Sequence, residues 1–238
     1  REITVLASAG DSGATNGLSL ANALFPSSDP FVLSVGGTQG DPFGNLVTFT
    51  GTCPSGPRPG FPTGCTPTGY GAEATWNEAW IKAAGGGAPS LLFPSPTYQA
   101  NDGSRYAART TPDVSYNAAV DGGDLVYWTA CLACEPSTFT GWFVVGGTSA
   151  GSPQWSAIFA IVNQVRAGED KGPIGFANQA VYAIAESGSY STDFHDITVG
   201  NNILSGSTIG FSAVTGYDLA SGWGTPNAAN LVPDLAAS

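Results

Sequence analysis

The stretch Gly146-Gly147-Thr148-Ser149-Ala150-Gly151-Ser152-Pro153 lies between two apolar segments of different kinds. Before it, Trp142-Phe143-Val144-Val145 is a short aromatic and β-branched run, which predicts a buried strand. After it, apolar residues recur at helical spacing and predict a helix over 154–166: Trp155, Ile158, Phe159, Ile161, Val162 and Val165. We therefore expect Ser149 to lie in a glycine-rich turn that leads from a strand into a helix.

The expected turn around Ser149 has the properties of an anion-binding site. Glycines allow close backbone approach, and the free N–H groups at a helix N-terminus carry partial positive charge. An acyl-transfer enzyme needs such a place to hold the oxyanion that forms when a serine attacks a carbonyl. The alternative is that Ser149 or Thr148 caps the helix without any catalytic role.

Composition and charge narrow the classes of function. The 238 residues include 7 Lys+Arg against 18 Asp+Glu, which gives a formal net charge of -11. Nucleic-acid binding is not expected, because no basic stripe is present to neutralise phosphates. The sequence has no apolar run long enough to cross a membrane, so no membrane partner is expected. Only 11% of the residues are charged, and this suits an acidic medium because few ion pairs would be lost when carboxylates protonate.

The four cysteines form two pairs that are close in sequence, Cys53 with Cys65 and Cys131 with Cys134. Both pairs fall in turn-rich stretches, so we expect two loop disulfides in a secreted, extracellular protein. A zinc site is the alternative, but the sequence has one histidine and lacks further ligands at finger spacing. The sequence opens without a signal peptide, and we expect such a segment to have been removed.

Two further apolar runs, Ile3-Thr4-Val5-Leu6-Ala7 and Phe31-Val32-Leu33-Ser34-Val35, predict strands of a buried parallel sheet. Strands separated by loops and helices favour one α/β domain over residues 1–238. Pro112 disfavours a helix at the residue before it. The other segments are expected to be a surface hairpin or loop over 39–70, a turn or extended segment over 110–115, a second helix over 176–185, and an ordered loop region over about 193–224.

Five segments, in order along nearly the whole sequence, resemble the sedolisins, the serine-carboxyl peptidases. They are Ser8-Ala9-Gly10-Asp11-Ser12-Gly13; Gly85-Gly86-Gly87 followed by Tyr98-Gln99; Pro112-Asp113-Val114-Ser115; Gly147-Thr148-Ser149-Ala150 with Pro153; and Asp196-Ile197 followed by Gly216-Tyr217-Asp218 and Gly222-Trp223-Gly224. Each segment is weak alone, but five in order are specific. The resemblance implies a subtilisin-like parallel sheet flanked by helices, with the N-terminal portion of the fold absent and the C-terminal part of the catalytic domain present.

The resemblance also implies an acid-acting serine endopeptidase that hydrolyses peptide bonds in a protein or peptide substrate. Ser149 would be the nucleophile, and Asp11 would line the oxyanion hole where subtilisins place an asparagine. This is chemically coherent, since a carboxylic acid can donate a hydrogen bond to an oxyanion only while it is protonated. The alternative for Asp11 is a turn or N-cap aspartate after a strand.

The general base of the family, a Glu with an Asp four residues later on one helix, is absent from this sequence. An aspartate at the fourth following position is missing after each glutamate: Glu2, Glu73, Glu78, Glu135, Glu169 and Glu186. In the family that helix precedes the strand that opens this sequence. We therefore expect the base from an upstream segment, first of all from a separate N-terminal chain held noncovalently. The alternatives are that the sequence is a fragment of a longer peptidase, or that it belongs to a relative that has lost catalysis.

The region 193–224 also predicts a structural calcium site. Asp193, Asp196 and Asp218 crowd a glycine-rich loop with almost no nearby cation, and calcium takes roughly six to eight oxygen ligands. The resemblance implies the ligands of one calcium ion, which exclude Asp193: the side chains of Asp196 and Asp218 and the carbonyls of Ile197, Val214 and Gly216. The sequence has Val214 where the family pattern often shows glycine. A solvated acidic loop is the alternative.

Two other classes of function remain open. The stretch Gly147-Thr148-Ser149-Ala150-Gly151 also satisfies the nucleophile elbow of α/β-hydrolases, with Asp193 or an earlier aspartate, and His195, available for a triad. That esterase hypothesis requires His195 within hydrogen-bond reach of Ser149. The abundance of aromatic residues, glycine, threonine and asparagine also suits a non-catalytic extracellular domain that binds carbohydrate or protein. Burial of Ser149 together with the lack of an upstream chain would favour this second hypothesis.

Overall fold

A computed structural model describes residues 3–40, 47–50, 66–128 and 141–238. The strands in these ranges are β1 (Leu6–Ser8), β2 (Leu33–Gly40), β3 (Val47–Thr50), β4 (Thr66–Tyr70), β5 (Glu73–Thr75), β6 (Asn77–Glu78), β7 (Ala83–Ala84), β8 (Pro89–Pro94), β9 (Ala108–Thr110), β10 (Val114–Asn117), β11 (Asp124–Trp128), β12 (Gly141–Val145), β13 (Phe194–His195) and β14 (Thr225–Pro226). The α-helices are α1 (Thr148–Gly168), α2 (Asn178–Ala185), α3 (Tyr190–Asp193) and α4 (Ala228–Ala237).

The central sheet is built around β2. Strands β1 and β10 pair with β2 in parallel, with Leu6 opposite Leu33 and Val114 opposite Val35. Strand β5 adds an antiparallel neighbour near the end of β2. Almost every residue of β2 is buried, as expected for a strand covered on both faces. The prediction of a buried parallel sheet is confirmed, although both predicted strands begin two or three residues too early.

Helix α1 packs against the parallel sheet and forms the centre of the hydrophobic core. Its buried apolar residues are Trp155, Ile158, Phe159 and Val162, whereas Ile161 and Val165 lie partly in solvent. The predicted helix is confirmed, but it begins six residues earlier, at Thr148. Gly151 allows this early start, because an added Cβ would lie 2.9 Å from the Cβ of Tyr116 in the sheet. The first turn of α1 therefore lies directly on the sheet.

The prediction of a buried strand at Trp142–Val145 is wrong in its environment. The strand exists as β12, but it pairs antiparallel with β11 in a two-stranded ribbon and not with the parallel sheet. The side chain of Trp142 is 65% exposed, and its ring contacts Tyr127 with 5.2 Å between centroids. An apolar run indicates that a segment favours a β-strand, but it does not show whether other elements pack on that strand. A two-stranded ribbon by itself covers neither of its faces.

The remaining segments agree with the sequence in most respects. Strands β3 and β4 pair antiparallel, as a hairpin over 39–70 requires. The segment before β10 is extended and contains a cis Thr111–Pro112 bond, and α2 is the second helix. Helix α4, which packs on α1, was not predicted. The cysteines Cys53, Cys65, Cys131 and Cys134 lie outside the described residues.

No helix within the described ranges is long and apolar enough to cross a membrane.

Candidate active site

Asp11 and Thr148 meet although 137 positions separate them in the sequence. Asp11 follows β1 and Thr148 begins α1. The Thr148 backbone N–H and the Thr148 hydroxyl both donate to Asp11 Oδ1, at 2.8 and 2.7 Å. The N–H of Gly10 donates to the Thr148 hydroxyl oxygen at 3.1 Å. These bonds attach the loop after β1 to the first turn of α1, and they place Asp11 against Thr148, the residue that precedes Ser149.

Ser149 is exposed, whereas Thr148 is completely buried. The N-cap of α1 is Gly147, and no side chain of the cap forms a capping hydrogen bond. The capping alternative for Ser149 and Thr148 therefore does not describe this helix, since Asp11 takes the first free N–H. The exposure of Ser149 also removes the observation that would have favoured a non-catalytic binding domain.

Gly147 is required where the turn meets Asp11. Its φ is +85°, a conformation that residues with side chains rarely adopt. A Cβ at this position would lie 2.5 Å from Asp11 Oδ2. The glycine therefore lets the carboxyl group of Asp11 lie directly against the backbone that precedes Ser149.

A buried carboxylate supports the same turn from the other side. The N–H of Gly147 donates to the carbonyl of Ala118 at 2.7 Å, in the loop after β10. Glu78 is almost fully buried and accepts hydrogen bonds from the N–H groups of Val120 and Asp121, at 2.7 and 2.8 Å. Glu78 thus fixes the loop that holds the glycine-rich turn before Ser149.

The triad of an α/β-hydrolase is not assembled. The ring of His195 stacks on Tyr70, with 3.7 Å between centroids, and burial lowers the pKa of its imidazole. Among the described residues, no hydrogen bond joins His195 to Ser149. Asp193 accepts a hydrogen bond from the Thr192 hydroxyl and also interacts with Asp234. The geometry that the esterase hypothesis requires is therefore missing.

Two of the proposed calcium ligands, the carboxylates of Asp196 and Asp218, contact one short loop segment. Both carboxylate oxygens of Asp196 accept from the N–H of Gly216, at 3.2 and 3.1 Å. Asp218 Oδ2 accepts from the N–H of Val214 at 2.9 Å. Asp193 has other partners, so it lies apart from this pair, as the resemblance implies. The carboxylates of Asp196 and Asp218 thus hold the two ends of a three-residue segment.

The charge and free acceptors of this loop fit a hard cation. In the described part of the chain, neither Asp196 nor Asp218 forms an ion pair with Lys or Arg. The carbonyl oxygens of Ile197, Val214 and Gly216 accept no hydrogen bond from another described residue. Burial raises the pKa of the Asp218 carboxyl to about 6, although four hydrogen bonds oppose this change. No group of three or more His, Cys, Asp or Glu side chains suited to a metal occurs in the described ranges, so a cation in this loop would need ligands other than these side chains.

Comparisons with known proteins identify relatives of this chain. No family model matches the chain. Kumamolisin from Bacillus sp. (strain MN-32) is 31% identical over 98% of this chain and 36% of its own length. Tripeptidyl-peptidase 1 from Rattus norvegicus is 29% identical over 99% of this chain and 38% of its own length. Both proteins are homologues of this chain from the sedolisin family.

The sedolisin fold is shown independently by a solved structure. A Pseudomonas sedolisin, described as a serine-carboxyl proteinase complexed with two molecules of pseudo-iodotyrostatin, matches with a TM-score of 0.71 and 24% identity. The match covers 99% of this chain and 56% of that chain. Against the curated relatives kumamolisin and tripeptidyl-peptidase 1, the chain spans 36% and 38% of their length. The chain therefore has the sedolisin fold in part, with a parallel sheet flanked by helices as expected.

Two residues that shape the site were not assigned this role from the sequence, since Thr148 was considered as a helix cap and Glu78 as a possible general base. Thr148 stands inside the glycine-rich stretch, and its position next to Ser149 was a usable signal. Glu78 carried no such signal, because only the folded chain brings β6 to the loop after β10. The segment around Asp113, which resembles the sedolisins, has a structural role. The Asp113 carboxylate is completely buried, and its Oδ2 lies 2.6 Å from Nη2 of Arg109.

Proposed function

We propose that this chain forms the nucleophile-bearing part of an acid-acting serine-carboxyl endopeptidase. The observation that carries the proposal is an exposed Ser149 in the first turn of α1, directly after a residue that is hydrogen-bonded to the Asp11 carboxyl group. Acidic operation agrees with a chain that has few ion pairs to lose. Secretion and a protein or peptide substrate belong to the same proposal.

The reaction assigns one role to each residue of the site. The Ser149 hydroxyl attacks the carbonyl carbon of the peptide bond, and its proton passes to a general base. The carbonyl oxygen becomes an oxyanion, which the protonated carboxyl of Asp11 and nearby backbone N–H groups stabilise. Collapse of this intermediate expels the amine, which takes up a proton, and water then hydrolyses the acyl-enzyme.

The general base lies outside the residues of this sequence in our proposal. None of its six glutamates is followed by an aspartate at the fourth position. The one histidine is stacked on Tyr70 and is not bonded to Ser149 in the described structure. A carboxylate base from an upstream segment, or from a separate N-terminal chain, would complete the site. Mixing this chain with such a partner should therefore restore activity that the chain lacks when it is alone.

Activity should peak in acid and should depend on the proton of Asp11. We expect the rate of peptide release by an active preparation that contains this chain to fall as the pH approaches neutrality. An amide donates hydrogen bonds at any pH, so Asp11→Asn should retain part of the activity and lose some of its acid dependence. The measurement is kcat/KM against pH with an unfolded protein or peptide substrate.

The matched control for this profile is Asp170→Asn, since Asp170 is an exposed aspartate beyond the end of α1. Its profile should coincide with that of the wild type. A maximum near or above neutrality in the wild type would contradict both the acid role of Asp11 and the carboxylate base.

We also propose that the loop holds one structural calcium ion through the side chains of Asp196 and Asp218 and the carbonyls of Ile197, Val214 and Gly216. The proposal is supported by two carboxylates without a cationic partner and by three free carbonyl oxygens in one glycine-containing loop, all within the described residues. A cation bound there would offset the charges of Asp196 and Asp218, and it would join the segments that contain them.

Calcium should raise the melting temperature near neutral pH and have little effect in acid. A hundredfold excess of calcium over its Kd adds about 2.7 kcal/mol of stability, which corresponds to roughly 5–10 °C for a chain of this size. In EDTA, the raised pKa of Asp218 destabilises the fold above about pH 6, and this effect is lost as the pH falls toward the usual aspartate value. With calcium bound, ionisation of Asp218 should instead stabilise the fold, because the ion binds only the ionised carboxylates.

The test is thermal melting in calcium and in EDTA between pH 4 and 8. The calcium increment should disappear in Asp218→Ala and persist in Asp170→Ala. Equal melting temperatures in calcium and EDTA for the wild type at neutral pH would remove the site.

A further inference from the structure

The hydroxyl group of Thr148 has its hydrogen-bond directions fixed by its neighbours. Thr148 is completely buried, so water does not compete for its side chain. Its oxygen accepts a hydrogen bond from the backbone N–H of Gly10, and an N–H group cannot accept one in return. The hydroxyl proton therefore points to the other partner, Asp11 Oδ1, at 2.7 Å. Since the Thr148 N–H reaches the same atom, Oδ1 is the acceptor of two hydrogen bonds.

Two donors on one oxygen decide where a protonated Asp11 carries its proton. A proton on Oδ1 would be directed at the hydrogens of Thr148, whereas Oδ2 has no donor from the described residues. The acid proton therefore belongs on Oδ2. The same atom lies against Gly147, two residues before Ser149. The O–H of Asp11 is thus available on the side of the carboxyl group that faces the nucleophile turn.

We propose that Thr148 is a positioning residue of the peptidase reaction: its hydroxyl holds Asp11 Oδ1 so that Oδ2 presents the proton to the oxyanion. The inference rests on the proposed function of Ser149 and Asp11. Thr148 acts through Asp11 and does not touch the substrate. Among the described residues, no titratable side chain forms an ion pair or a hydrogen bond with Asp11. Thr148 is therefore the side chain that positions this carboxyl group.

The experiment compares Thr148→Val with Thr148→Ser in an active preparation. Valine keeps the shape and the backbone N–H but removes the hydroxyl, so kcat/KM at the acidic optimum should fall about 10- to 100-fold. Because the O–H bond to Asp11 Oδ1 is lost, the pH profile of kcat/KM should also change in shape. Serine restores the hydroxyl and should restore both the rate and the profile.

A double-variant cycle separates positioning from packing. In an Asp11→Asn background the choice between two oxygens is gone, so adding Thr148→Val should no longer move the pH profile. Thermal melting reports whether each variant is folded. If Thr148→Val is not folded, Thr148→Ser and Thr148→Ala provide the same comparison, because they differ only in the hydroxyl.

The outcomes distinguish this inference from the function on which it rests. An active wild type with a Thr148→Val profile of unchanged shape would overturn the role of Thr148 and leave the nucleophile in place. Failure of Thr148→Ser to restore the rate would do the same. A wild type without Ser149-dependent acid peptidase activity would overturn the proposed function, and the role of Thr148 with it.

Discussion

Replacement of Ser149 by alanine should abolish peptide release by an active preparation that contains this chain, with a fall in kcat of about a millionfold. Loss of the nucleophile has an effect of that order in a serine peptidase, because the other groups of the site then act on a reaction that lacks its first bond-forming step. The folded state should be unaffected. Ser149 is exposed, and in the described structure no residue forms a hydrogen bond with its hydroxyl.

The control is Ser156→Ala, two turns further along α1. Ser156 is also exposed, and its hydroxyl donates only to the carbonyl of Ser152 at 3.1 Å. This variant should keep wild-type kcat and KM. Turnover by Ser149→Ala above about one thousandth of the wild-type rate, with the chain folded, would show that another group is the nucleophile. It would not affect the assignment of the fold.

Replacement of Arg109 by alanine should have the largest effect on stability, about 3–5 kcal/mol. Arg109 and Asp113 are completely buried, and the guanidinium donates to both carboxylate oxygens, each at 2.6 Å. Asp113 also accepts from the Tyr182 hydroxyl at 2.8 Å and from the N–H of Ser34 at 2.6 Å. Without the guanidinium, the negative charge of Asp113 would remain buried in the core without a positive partner.

Urea unfolding of Arg109→Ala measures this loss, and Lys171→Ala is the matched control. Lys171 pairs with Glu169 at 3.0 Å on the surface, where such pairs contribute about 0–1 kcal/mol. Arg109→Ala should therefore unfold at a far lower urea concentration than Lys171→Ala. Equal midpoints for the two variants would mean that the buried pair does not hold β2 and β10 together.

The parallel sheet, helix α1 and the turn at Ser149 were predictable because each depends on a local pattern. Apolar periodicity and glycine content are properties of a few consecutive residues, and the structure contains these elements, although α1 begins six residues before its predicted start. The pairing of Asp11 with the start of α1 was available only through the resemblance to sedolisins. Nothing local connects two residues that are 137 positions apart.

The predictions that failed depended on which distant segments of the chain pack against a strand or a side chain. The run Trp142–Val145 has the composition of a core strand, but in the described structure its partner is a single neighbouring strand and its aromatic side chains face solvent. The support of Glu78 was missed for the same reason. A lone glutamate before a tryptophan is typical of many surfaces, and only tertiary structure shows that its carboxylate receives two backbone N–H groups and the indole of Trp76.

The solvent-facing ribbon of β11 and β12 divides the tryptophans of the chain into two optical groups. Trp128 and Trp142 lie on the ribbon and are exposed, as is Trp80, whereas three others are buried in the core: Trp76, Trp155 and Trp223. A neutral quencher such as acrylamide will reach the first group in the native protein, and iodide less so, since the net charge of -11 repels it. The quenchable emission therefore comes from Trp80 and from the ribbon whose strand β12 ends three residues before Thr148. The protected emission will report only global unfolding.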